Sequence, residues 1–131
     1  MTENEFWAFL NGMLKNGRQM RASFTRDTAD PAVRKVMGYL ESHCMLPTES
    51  DRIPHEKIVK MGKLLTDRKT ANRTKEAILI ILAHYVSPAA LDFVRRYSFS
   101  PDRGMESFAK LALEECLTWN EKDLSLGRNV V

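Results

Sequence analysis

The apolar residues of this chain recur at spacings of three and four, and no stretch alternates with period two strongly enough to argue for a strand. A spacing near 3.6 gathers side chains into one stripe along a helix, whereas alternation would place them on one face of a strand. Five such stripes stand out. They are Phe6, Phe9, Leu10, Met13 and Leu14; Val33, Val36, Met37, Leu40 and Cys44; Ile58, Met61 and Leu65; Leu91, Val94 and Tyr97; and Met105, Phe108, Ala109 and Ala112. Helices must bury these stripes against one another, so the fold class is all-α.

Start and stop signals divide the pattern into six or seven helices. Thr2 with Glu5 three residues on forms a capping box, opening a helix to about Lys15. A short helix is predicted around Met20 and Phe24. Asp30 as cap with Pro31 at the first helical position opens the next, which reaches Cys44. Two prolines and several turn residues make a loop of "LPTESDRIPH". Helices are then predicted from about Pro54 to Thr66 and from Arg73 to Val86. Ser87-Pro88 and Ser100-Pro101 are twin cap-plus-proline starts for the last two. The segment from 120 to 131, "NEKDLSLGRNVV", lacks a stripe and is expected to be a loose tail.

The chain resembles itself at a shift of 32 residues. Val59 then falls on Leu91, Met61 on Phe93, Leu65 on Tyr97, Ala77 on Ala109, Leu79 on Leu111 and Ile81 on Leu113. Periods of this size belong to stacked helical repeats. A single domain over 1–131 is expected, with a repeat-like part at 30–119. Its antiparallel helical hairpins would stack into a short right-handed α-α superhelix, with Ala77, Ala109 and Ala112 allowing close helix approach. Where the repeat fails, Ile78, Leu82 and Ala83 are replaced by Lys110, Glu114 and Glu115. That charged side is expected to be the polar outer face of a terminal repeat.

Two short motifs add a resemblance. "DPAVRKV" at 30 to 36 is similar to the Asp-Pro-x-Val-Arg opening of HEAT-like repeats, through Asp30, Pro31, Val33 and Arg34. "AKLAL" at 109 to 113 resembles the Ala-x-x-Ala-Leu pattern of the same helix. Over about Asp30 to Leu117 the chain thus looks like the armadillo-type superfamily. No single repeat carries both halves, since Thr74 and Glu106 hold the place of the arginine. In such folds the second helix of each hairpin lines a concave face, which the resemblance assigns here to the helix at about 54–66 and to the one that opens at Ser87-Pro88.

Reactive residues do not assemble into a recognisable catalytic pattern. His43, His55 and His84 lack the spacing that converges on zinc, and no metal or other cofactor is expected. His84 reads as a partly buried polar residue near a helix end, and the adjacent Glu114 and Glu115 as solvated charges rather than an acid-base pair. The six glycines are too scattered to cradle a phosphate. Trp7 and Trp119 read as core or edge packing rather than as the lining of a glycosylase groove. Enzyme activity is therefore not expected. Cys44 and Cys116 sit within apolar patterns and read as reduced core thiols. The acidic opening "MTENEFWAFL" does not suit export, and no apolar run suffices for a membrane span, so the expected location is cytoplasmic.

What remains is a set of cations. Lys60, Lys63, Arg95 and Arg96 stand off the apolar stripes of the two concave-face helices. Arg68 belongs to the loop "DRKTANRTK", which also holds Lys69, Arg73 and Lys75. They are either ordinary solvated side chains or a basic ladder, and the net charge of +3 permits an anionic partner without demanding one. Read as a ladder, they imply a non-catalytic scaffold or adaptor that binds an acidic segment of a partner protein through Lys60, Lys63, Arg68, Arg95 and Arg96. The alternative is nucleic-acid binding by the same face, which would weaken steeply with salt.

Overall fold

A computed structural model describes residues 1–17, 38–39, 42–43, 46–47 and 50–125. Five α-helices and no strand occur among the described residues. They are α1 (Glu3–Gly17), α2 (His55–Thr66), α3 (Asn72–His84), α4 (Pro88–Phe99) and α5 (Glu106–Ser125), with a 3-10 turn at Ser50–Arg52. The fold class is all-α as expected, but the described helices number five rather than six or seven. The helix predicted around Met20 and Phe24 lies outside the described residues. So does the one over 30–44, apart from Gly38, Tyr39, Ser42 and His43.

Capping chemistry sets most of the boundaries. The Thr2 hydroxyl accepts from the Glu5 amide and Glu5 accepts from the Thr2 amide, both at 3.1 Å, which completes the predicted box. The Ser87 hydroxyl accepts from the Ala90 amide at 3.1 Å, with Pro88 in the first turn of α4. The second Ser-Pro start is corrected: Ser100 ends α4, and α5 begins only at Glu106. Between them Asp102 is drawn toward Lys75 and Tyr97, and Gly104 takes a φ of 88°, a left-handed conformation suited to glycine. The loose tail is corrected too, because α5 continues through Ser125. Asn120 donates to the Cys116 carbonyl one turn back, and residues 126–131 lie outside the description.

Helix α2 lies against α3 and α4, helix α5 lies against α3 and α4, and α3 also touches α4. Central α3 buries Ala77 through Ala83 on every side. A helix apolar all round needs neighbours all round, and α3 has them. Ala77, Ala109 and Ala112 are all buried. Between α2 and α4, Gly62 faces Phe93 so closely that a Cβ would overlap the ring. Helix α1 adds Phe6, Leu10 and Leu14 to the same core. Its Glu3 carboxylate accepts from the Ala71 amide at 3.1 Å and from the Thr74 hydroxyl at 2.5 Å, satisfying donors at the start of α3. The Trp7 indole in turn donates to the Thr74 hydroxyl at 3.0 Å.

Candidate functional site

All five cations singled out by sequence, Lys60, Lys63, Arg68, Arg95 and Arg96, are exposed. Two of them meet around a cavity. Arg68 follows the end of α2 and Arg96 lies in the last turn of α4; because those helices are neighbours, both side chains line one pocket of about 420 Å³. Thr66, Lys75, Tyr97, Ser100, Pro101 and Asp102 complete its wall. Lys60, Lys63 and Arg95 are not part of it. Arg95 lies close enough to Cys116 for its charge to act on that thiol.

Sequence placed Lys75 among loop cations, yet its side chain is only 2% exposed. Its ammonium donates to Asp102 Oδ2 at 2.5 Å and lies 5.5 Å from the centre of the Tyr97 ring. The Tyr97 hydroxyl donates to the same oxygen at 2.7 Å and accepts from the Asp102 amide at 3.2 Å. Lys75 and Tyr97 hold the Asp102 carboxyl below the usual carboxylate range. Burial, then the hydrogen bond to Asp102, pushes the Tyr97 phenol up. One wall of the pocket is thus charge-paired. Arg68 and Arg96 are more open: Arg96 pairs across one helical turn with Asp92, and both partners are well exposed. Exposed pairs of this kind contribute little and exchange readily.

A second constellation went unread in the sequence. His84 closes α3, Glu115 lies on the neighbouring α5, and His43 comes from the segment before α2. His43 Nε2 lies 2.9 Å from Glu115 Oε1 and 3.2 Å from Oε2, and His84 Nε2 lies 3.0 Å from Oε2. The Tyr39 hydroxyl donates to Oε1 at 2.5 Å. Glu115, expected as a solvated charge, is corrected: its side chain is 26% exposed and tied to three partners, while Glu114 stays on the surface. Burial alone would raise its carboxyl, but the hydrogen bonds from His43, His84 and Tyr39 hold it well below the usual range. The Tyr39 phenol is pushed up by burial and by Glu115. Beneath the cluster Cys116 is fully buried and free, its thiol pushed up to about 11 by burial. The second cysteine, Cys44, lies outside the described residues.

No family model matches the chain, and no curated protein or solved structure matches it either.

Proposed function

We propose that the protein is a non-catalytic helical scaffold that captures an acidic side chain of a partner protein between Arg68 and Arg96. One observation carries this reading: two cations far apart in sequence converge on a pocket whose other charged groups, Lys75 and Asp102, are already paired with each other. A planar guanidinium grips a carboxylate through two parallel hydrogen bonds, and an incoming Asp or Glu would replace Asp92 on Arg96. The cavity is within the size range of pockets that enclose small groups. Lys60, Lys63 and Arg95 would then act at longer range, steering an acidic segment toward the pocket.

The same proposal includes the architecture. The pairing of α2 with α4 and of α3 with α5 supports a short right-handed HEAT-like superhelix, in which a binding surface spans adjacent repeats. No described helix is long and apolar enough to cross a membrane. The free thiol of Cys116 suits a cytoplasmic setting.

Fluorescence anisotropy with a labelled Glu-rich peptide tests the binding reading. Arg68→Glu/Arg96→Glu is expected to weaken capture at least ten-fold while the melting temperature barely moves, since exposed substitutions usually stay within about 0.5 kcal/mol. Lys63→Glu/Arg95→Glu is expected to slow association more than it speeds release. Full-strength peptide binding by the Arg68/Arg96 variant would refute the pocket. Tighter, salt-sensitive binding to duplex DNA than to the peptide would transfer the surface to a phosphate backbone instead.

A further inference from the structure

We propose that His43, His84 and Glu115 form a binding site for one divalent ion of the zinc class, with Tyr39 as a positioning residue. The argument begins with which ring nitrogens hold protons. His43 Nδ1 lies 3.0 Å from the Tyr39 carbonyl and His84 Nδ1 lies 2.8 Å from the Ile80 carbonyl. A carbonyl only accepts, so each Nδ1 carries a hydrogen and donates it. In a neutral imidazole this leaves a lone pair on each Nε2, and both Nε2 atoms face the Glu115 carboxylate. Each contact therefore calls for a cation: a second ring proton, which makes it a hydrogen bond to Glu115, or a metal ion taken by the same lone pair. Two added protons would serve, at the cost of two imidazolium rings whose centroids are 5.0 Å apart. One divalent ion serves both contacts at once and leaves both rings neutral.

The distances suit that ion. The three candidate ligand atoms all lie within 4.8 Å of one another. Zinc holds nitrogen and carboxylate oxygen at about 2.0–2.1 Å, so two ligands of a tetrahedral site stand about 3.3 Å apart. Glu115 Oε2 is 3.2 Å from His43 Nε2 and 3.0 Å from His84 Nε2, so two of the three ligand–ligand edges are within a few tenths of an ångström of that length, and the third lies within 4.8 Å. Oε1 is held by the Tyr39 hydroxyl, which orients the carboxylate for one-oxygen ligation. Each histidine is likewise fixed by its Nδ1 bond to a carbonyl, the outer arrangement typical of metal-bound imidazole. The donor set of two imidazoles and one carboxylate suits zinc and its transition-metal neighbours rather than calcium or magnesium. The side chains retain 26%, 12% and 26% exposure, so a fourth position is open to water.

The site would tie three chain segments together: the one carrying Tyr39 and His43, helix α3, and helix α5. It is independent of the anion pocket, which involves none of these residues.

The test uses the full chain, stripped of metal with a chelator and titrated with zinc sulfate by calorimetry. One zinc per chain is expected, with His84→Ala and Glu115→Gln each weakening it about a hundred-fold or more. Tyr39→Phe, which removes only the orienting hydroxyl, should weaken it about ten-fold. His55→Ala, at the exposed start of α2, should change nothing. Long-range proton–nitrogen spectra of the unaltered protein provide a readout that does not depend on any variant folding. Of the three histidines, two should shift at Nε2 on adding zinc and one should not. No saturable zinc binding, unchanged binding in folded His84→Ala, or a shift at His55 alone would each overturn the proposal.

Discussion

Lys75 shows how one residue can belong to the interior while its sequence neighbours belong to the surface. Its ammonium is enclosed, so the carboxylate of Asp102 is its necessary counter-charge. Asp102→Asn should therefore destabilise the protein by about 1.5–3 kcal/mol at neutral pH, the range for losing a hydrogen bond to a charged group. The pH dependence has a definite sign. The folded carboxyl titrates below its unfolded value, so its contribution is fully present above the unfolded pKa and disappears as pH falls through the folded one. Chemical denaturation across pH should show the two proteins furthest apart near pH 7 and converging in acid; a constant gap would refute the pairing. Neither this pair nor the Glu115 cluster could be read from spacing, because each joins residues distant along the chain. One signal for Glu115 did exist. The 32-residue shift lays it over Ala83, which is 1% exposed, so an inward direction was implied where the charge suggested an outward one.

At the scale of elements, the fold was legible wherever a local signal had no tertiary competitor. The stripe at Ile58, Met61 and Leu65 and the cap at Ser87 involve only their own helices, and both form as predicted. Ser100-Pro101 carries the same local signal but fails, because the loop it would have shortened must deliver Asp102 to Lys75 on another helix. The contact of α2 with α4 is equally tertiary: nothing near Gly62 in sequence announces Phe93. Gly62→Ala should cost about 1–3 kcal/mol by overpacking that crossing, although alanine is the better helix former. Combining it with Phe93→Ala should recover part of the loss, measurable as a coupling energy in a double-mutant cycle by urea unfolding. Additive losses would mean that the ring is not what excludes a side chain at position 62.

Across the whole molecule, α3 connects two proposed sites at opposite ends. Lys75 and His84 are nine positions apart along it, a rise of about 14 Å, and no residue belongs to both sites. From Thr74 to Ala83 every residue of the helix but Glu76 is buried, with α2, α4 and α5 packed around it, which leaves it little room for a second packing when one site fills. Coupling between sites requires an element with two arrangements that both ligands bias. Its absence here predicts independence. A ligand that binds only the folded state stabilises it by RT ln(1 + [L]/Kd), about 1.4 kcal/mol at ten times Kd. Zinc and an acidic peptide, each at ten times its own Kd, should therefore raise the unfolding free energy by about 2.8 kcal/mol together, and neither should alter the other's affinity. Urea unfolding with each ligand alone and with both would measure the sum. A departure of more than about 1 kcal/mol would show that α3 transmits occupancy from one end to the other, and that filling the cluster of His43, His84 and Glu115 reshapes the pocket between Arg68 and Arg96.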